Sequence, residues 1–147
     1  MNEIEKNNVY YVCALIEFIA RETKNTRKDI INKIGIEGLK DLYNTAEVNH
    51  CLTFEEVSDE VIKNYNITQG SFDCVANCKY QVPTFMAIGK VYMRLVEDNL
   101  QENKIAETIY NIFNSFISDE IANFNTSTYY SSREYLSQSY KSGYLLD

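Results

Sequence analysis

The stretch KIAETIYNIFNSFISDEIANF (residues 104–124) decides the fold class. Most of its large apolar residues recur at intervals of three or four, the spacing that places side chains on one side of an α-helix. They are Ile105, Ile109, Ile112, Phe113, Phe116, Ile117, Ile121 and Phe124. Because a half-buried strand would need strict alternation, this pattern predicts one long amphipathic helix from Lys104 to Phe124 that packs its apolar side against a core.

Helical spacing recurs along the rest of the chain, where little interrupts it. One proline and five glycines in 147 residues favour helices over a hairpin-rich β fold. Further helices are predicted over residues 2–22, 27–35, 36–44, 54–65 and 83–99, with a last one between Ser131 and Gly143. The first helix places its apolar residues inward, namely Ile4, Val12, Leu15, Ile16 and Ile19. We therefore predict an all-α fold, a compact bundle of about six or seven helices.

Local capping signals mark several helix ends. Thr53 and Glu56 spell a capping box, in which the threonine oxygen accepts a hydrogen bond from a free helix amide and the glutamate reaches back to the amide of the threonine. Ser131 and Glu134 repeat that pattern before the last helix. Gly35 suits the end of the second helix, because glycine adopts the left-handed backbone of a C-terminal cap without strain.

Residues 68–82 are the best candidate for a linker. The surrounding stretch NITQGSFDCVANCKYQVP (residues 66–83) holds a glycine, small polar residues and the only proline, Pro83. It divides the chain into an N-terminal helical subdomain over residues 1–67 and a C-terminal helical subdomain over residues 83–147. Neither half is large enough to be robust alone, so the favoured arrangement is one continuous core rather than two packed subdomains.

The charge of the chain bears on its partners and its compartment. With 21 acidic against 14 basic side chains, the net charge is −7, which repels nucleic acid and anionic membranes and suits a basic protein surface. The first residues, MNEIEKNN, are polar and acidic, unlike a signal peptide, and no apolar run approaches the roughly 20 residues that span a bilayer. We expect a cytoplasmic protein whose four cysteines stay reduced.

Residues suited to catalysis or metal binding are few. His50, Cys51, Cys74 and Cys78 together offer four soft ligands, the number that a structural zinc site needs. Adjacent ligands such as His50 and Cys51 are geometrically awkward, and consecutive side chains point apart on a helix or a strand, which also argues against a catalytic pair. No phosphate-binding loop, dinucleotide-binding or HExxH motif occurs. We predict a non-enzymatic protein without a metal or other cofactor, and leave open whether these four residues approach one another.

One stretch favours a different function. Residues 21–40 contain six of the 14 basic residues and could form two helices around Gly35, as in a helix-turn-helix. Acidic residues are interleaved with the basic ones, which weakens a phosphate-binding face. A DNA-binding transcriptional regulator that contacts nucleic acid through Arg27, Lys28 and Lys40 is therefore the alternative prediction.

The first half of the chain resembles a known group of proteins. The helix order from YYVCALIEFIARETKNTRKDIINKIGIEGLKDLYN (residues 10–44) through NHCLTFEEVSDEVIKNY (residues 49–65), with the polar joint Asn49–His50, is similar to a family of uncharacterised small helical bacterial proteins. Members of that family are often encoded beside toxin genes of the ADP-ribosyltransferase-like type. The resemblance covers roughly residues 5–66 and implies a non-enzymatic partner, an antitoxin or accessory subunit of such an enzyme.

The C-terminal region is unusually rich in tyrosine. We predict that the last helix docks on its own domain, with tyrosine rings packed and hydroxyls in water. Tyrosine is also enriched at interface hot spots, so the same residues are the predicted contacts with a protein partner, or alternatively with a second copy in a homodimer. They are Tyr129, Tyr130, Tyr135, Tyr140 and Tyr144.

Overall fold

The computed structural model describes residues 1–147, which form eight α-helices, one 3-10 turn and no strand. The all-α prediction is confirmed. The helices are α1 (Glu3–Thr23), α2 (Arg27–Asn44), α3 (Ala46–Asn49), α4 (Phe54–Asn64), α5 (Phe85–Asn99), α6 (Ile105–Phe113), α7 (Phe116–Ala122) and α8 (Arg133–Ser142), and the 3-10 turn is Thr128–Tyr130. No helix combines the length and apolar character needed to cross a membrane.

The central element is α1, which packs against α2, α3, α4 and α5. Its apolar run is hidden from solvent over almost its whole length, from Val9 to Ala20. It crosses α5 at very short range, because a Cβ atom added to Gly89 would lie 2.8 Å from both Cα and Cβ of Ala14. Glycine is needed at this crossing for the two backbones to approach.

One hydrophobic core joins the two halves of the chain. A single cluster of 32 buried residues draws on α1, α2 and α4 from the first half and on α5 to α8 from the second. At its centre the rings of Tyr92 and Phe113 stack with 3.9 Å between their centroids. Burial of this shared apolar surface is the main stabilising term of the fold.

Residues 65–84, which we call the strap, connect the halves without regular structure. Near its start, the amides of Gly70 and Phe72 donate to the carbonyl oxygens of Thr23 and Lys24, each over 2.8 Å. Further along, Asn125 accepts from the amide of Lys79 at 2.8 Å and donates to the carbonyl of Asn77 at 3.0 Å. The segment expected to be a linker is thus hydrogen-bonded to the body at two separate places.

Several predicted helix ends are found where expected. Thr53 and Glu56 form a complete capping box at the start of α4. Gly35, with φ 72° and ψ 173°, breaks the helical path inside α2 at the predicted position. This combination of angles is one that only glycine adopts without strain.

Two details of the sequence prediction are wrong. The single helix over residues 104–124 is divided, because α6 ends at Phe113 and Ser115 caps α7 by accepting from the amide of Ile117 at 3.3 Å. The cap of α8 is Ser132, which accepts from the amide of Tyr135 at 3.2 Å, and not Ser131. In both cases a serine hydroxyl satisfies a free helix amide at a place that apolar spacing does not reveal.

Candidate functional site

A surface cleft of about 640 Å³ lies between α1, α3, α4 and α5. We call it the aromatic groove. The first half of α1 supplies one wall with Ile4, Tyr10 and Tyr11, while Glu47 and His50 approach from α3 and the turn that follows it. The remaining lining residues are Asn7, Asn8, Phe54 and Met86.

Stacked aromatic rings fix the shape of the groove. The ring centroid of Tyr11 lies 4.4 Å from that of His50 and 5.2 Å from that of Phe54. Phe54 in turn packs on Phe18 and Phe85, and its ring centroid lies 5.9 Å from that of Phe18 and 4.9 Å from that of Phe85. Such offset and edge-to-face contacts add to the stability of apolar burial, so the groove is held by rigid side chains.

Tyr11 is the buried floor of this cluster. Its hydroxyl is shielded from solvent and has no hydrogen-bond partner within the chain. Burial raises the pKa of Tyr11, so the phenol is neutral at physiological pH. The ring therefore contributes an apolar surface to the groove rather than a charged group.

Exposed apolar side chains accompany the groove. Ile4, which the helical spacing placed inward, is 61% exposed and forms part of the groove wall. Val48, next to Glu47 on α3, is 71% exposed, and Leu52 is exposed in the turn that leads to Phe54. Single exposed apolar residues are ordinary, but an exposed isoleucine on the wall of an apolar cleft makes that cleft a candidate binding surface.

The charge around the groove is mainly negative. Glu47 lines it, whereas none of the lining residues is a lysine or arginine. Exposed carboxylates follow Phe54 directly along α4, namely Glu55, Glu56, Asp59 and Glu60. The nearest cation that touches a lining ring is Lys90, whose Nζ lies 5.2 Å from the ring centroid of Tyr10. The lining itself thus carries one carboxylate and no cation, with Lys90 against the ring of Tyr10.

The candidate metal ligands and nucleophiles lie in different environments. Cys51 is exposed beside His50, whereas Cys74 is buried and accepts a hydrogen bond from Nη2 of Arg27 at 3.3 Å. Cys78 is half-buried on the strap, where its thiol contacts the carbonyl of Tyr80. No group of three or more His, Cys, Asp or Glu side chains is arranged to hold a metal ion. His50 is instead an aromatic component of the groove.

The structure divides the predicted tail tyrosines into two groups. Tyr130 and Tyr144 are 68% and 63% exposed, so both are available to a partner. The other three, Tyr129, Tyr135 and Tyr140, are half-buried against the core.

The last helix is docked on its own domain. Arg133 at its start donates to Glu97 of α5 at 2.8 Å and to Asp98 at 2.6 Å. The hydroxyl of Tyr135, in the first turn of the helix, donates to the carbonyl oxygen of Leu146, beyond its end, over 2.7 Å. Most of the C-terminal tyrosine surface therefore serves the fold.

The predicted nucleic-acid contacts are not a free basic face. Arg27 is only 1% exposed, so its assignment as a nucleic-acid contact is wrong: its guanidinium lies in the core against Glu17. Lys28 pairs with Asp119 at 3.2 Å, and Lys40 pairs with Glu37 at 3.4 Å.

Glu17 and two arginines form a buried ionic cluster behind the groove. Nε of Arg27 and Nε of Arg21 each donate to a carboxylate oxygen of Glu17 at 2.8 Å, and Nη2 of Arg27 donates as well. Burial by itself would raise the pKa of Glu17, but the charges and hydrogen bonds of Arg27 and Arg21 hold it below its usual value. The cluster is ionised, Glu17 and Arg27 are internal and the side chain of Arg21 is only 15% exposed, which assigns the cluster to the fold and not to a surface site.

Sequence reasoning missed the groove, although two signals for it were present. Ile4 stands among charged residues in MNEIEKNN, and Val48 stands among polar residues in NTAEVNH. An isolated aliphatic residue in a polar context is often not needed in the core; here Ile4 lines the groove, and Val48 follows the lining residue Glu47 in the chain. Comparison with known proteins adds no assignment, since no protein-family model matches the chain and no solved structure matches it.

Proposed function

We propose that this chain is a cytoplasmic, non-enzymatic protein-binding module, and that the aromatic groove is its contact surface. The observation that supports this most strongly is the open groove of about 640 Å³ with the exposed Ile4 on its wall and Val48 beside it. The lining offers one histidine and one carboxylate among apolar rings, which suits recognition better than acid–base chemistry.

The class of partner follows from the resemblance of the first half of the chain. That resemblance points to an antitoxin or accessory subunit that binds a toxin-like enzyme encoded nearby, and the net charge of −7 suits a basic substrate cleft on such an enzyme. The exposed Tyr130 and Tyr144 remain the competing contact surface. The helix-turn-helix alternative gains no support from the geometry, because Arg27 is buried and both Lys28 and Lys40 are paired with acids.

The test requires a partner that is identified and then reconstituted. The tagged chain is expressed in its host, co-purifying proteins are identified by mass spectrometry, and the gene product encoded beside this chain is expressed alone for binding measurements. We expect Ile4→Glu to weaken that binding at least about tenfold, since it places a charge in the apolar contact. Glutamate in the first turn of α1 suits the helix dipole, so the variant should remain folded, as circular dichroism would verify.

Two control variants locate the surface. Tyr80→Glu changes an exposed aromatic residue on the strap that does not line the groove, and should leave the affinity unchanged. The double variant Tyr130→Glu/Tyr144→Glu tests the tail. If only the tail variant lowers the affinity for the partner, the contact surface lies in the C-terminal region. Full binding by the Ile4→Glu variant would overturn the assignment of the groove.

A further inference from the structure

The shape of the aromatic groove restricts what enters it. A volume of about 640 Å³ holds a few side chains but not a domain, so a partner must insert a projecting segment. Recognition by β-strand addition requires an exposed sheet edge, and this fold has no strand. A groove between helices is instead the usual receptor for the apolar side of an amphipathic helix.

The lining suits aliphatic and aromatic anchors of variable shape. Ile4 gives the groove a branched aliphatic surface, and Met86 is a flexible apolar side chain that adapts its rotamers to different partners. Tyr10 and Phe54 add ring surfaces, and Lys90 already lies over the ring of Tyr10. These contacts explain where the apolar side of an inserted helix would lie.

The charges determine what flanks the apolar side. Glu47 lies in the groove, and the carboxylates of Glu55, Asp59 and Glu60 are exposed along α4 beyond Phe54. Lys6, which also lies on α1, is already paired with Glu97 at 3.2 Å. Lys90 of α5 is a further cation at the groove, 5.2 Å from the ring centroid of Tyr10, so electrostatic complementarity favours lysine or arginine on the part of the inserted segment next to Glu47 and α4 rather than next to α5.

Resting on the function proposed above, we propose that the groove binds a basic amphipathic α-helix supplied by the partner, with apolar residues on one side and lysine or arginine on its flanks. The apolar side contacts Ile4, Tyr10, Phe54 and Met86. The basic flank lies beside Glu47 and the acidic residues of α4.

The experiment uses the full chain with a fluorescent reporter next to the groove. Cys51 is exposed and neighbours His50, whereas Cys13 and Cys74 are buried, so a Cys78→Ser background directs an environment-sensitive dye to Cys51. The probes are synthetic helix-forming peptides of about 14 residues, roughly four helical turns. One contains leucine and lysine, a second has glutamate in place of lysine, and a third carries a central proline that prevents the helix.

We expect the leucine–lysine peptide to bind at least about tenfold more tightly than either of the other two. An acidic protein attracts any basic peptide, and the Ile4→Glu variant separates this effect from specific binding. It makes the groove more negative while removing an apolar contact, so specific insertion predicts weaker binding and mere charge attraction predicts stronger binding. The Tyr80→Glu variant adds the same charge elsewhere and should not weaken binding.

The possible outcomes separate this inference from the proposed function. Equal binding of the glutamate peptide would refute the basic flank, and equal binding of the proline peptide would refute the helix. Stronger binding of the leucine–lysine peptide by the Ile4→Glu variant would refute insertion. If no peptide binds while the reconstituted partner still loses affinity with Ile4→Glu, the helical occupant is wrong and the groove remains the protein-binding surface.

Discussion

Glu17 shows how a single residue connects the sequence to the core. It stands inside the apolar run YYVCALIEFIA (residues 10–20), where an acidic residue is out of place in a buried helix. The structure explains it, because Arg27 enters the core and meets Glu17 there. The sequence alone assigned Arg27 to the surface, since an arginine at the start of a helix is normally solvated. Only the tertiary fold brings the two charges together.

This pair leads to a prediction on stability. Glu17→Gln removes one partner and leaves the guanidinium of Arg27 buried without its counter-charge, which should lower the free energy of unfolding by about 3–5 kcal/mol. Urea denaturation at neutral pH measures the change. Glu60→Gln, at an exposed position of α4, is the matched control and should alter the stability by no more than about 0.5 kcal/mol.

The same pair makes stability depend on pH. The pKa of Glu17 is lower in the folded protein than in the unfolded chain, so its contribution is present above the unfolded pKa, about 4.3, and is lost as pH falls through the lower folded pKa. The free energy of unfolding, measured by urea denaturation at a series of acidic pH values, should therefore fall more steeply with decreasing pH for the wild type than for Glu17→Gln. Parallel curves for the two proteins would contradict this role of Glu17.

At the scale of elements, periodicity predicted that helices exist but not where they break. The apolar stripe over residues 104–124 runs through Asn114 and Ser115 without interruption, because α6 and α7 both turn their apolar sides to the core. The break is made by polar contacts. Asn32 of α2 donates to Asn114 at 3.0 Å and accepts from the hydroxyl of Tyr110 at 2.8 Å. A contact between residues this far apart in sequence leaves no trace in local spacing.

The crossing of α1 and α5 gives a second prediction. Gly89→Ala places a methyl group against the backbone of Ala14, which cannot yield as a flexible side chain would, so the helices must move apart. We expect a loss of about 1–3 kcal/mol and a lower Tm in thermal denaturation. Ala87→Ser, at an exposed position of the same helix, serves as control. An unchanged Tm for Gly89→Ala would show that the crossing is looser than described.

The strap gives a further prediction at this scale. Asn125→Ala removes both the acceptor for the amide of Lys79 and the donor to the carbonyl of Asn77, at a cost of about 1–2 kcal/mol. Hydrogen exchange at the Lys79 amide should become faster, while the amides of Gly70 and Phe72, bonded to the end of α1 and the residue after it, keep their rates. Equal acceleration along the whole strap would mean that it opens as one unit.

For the molecule as a whole, sequence reasoning predicted the fold class and the anionic surface but not the groove. The fold class and the anionic surface follow from periodicity and residue composition, because these are properties of the entire chain. The groove instead assembles Ile4, Tyr10, His50, Phe54 and Met86, which four separate parts of the chain contribute. Which helices become neighbours depends on packing choices such as the glycine at the α1–α5 crossing, and no local pattern encodes them.

The most direct test of the central claim, that the aromatic groove is the contact surface, is hydroxyl-radical footprinting of the chain with and without its reconstituted partner. Binding at the groove predicts reduced oxidation of Met86, Tyr10 and Phe54 in the complex, with Tyr130 and Tyr144 unchanged. Protection of Tyr130 and Tyr144 with unchanged oxidation of Met86 and Tyr10 would contradict it.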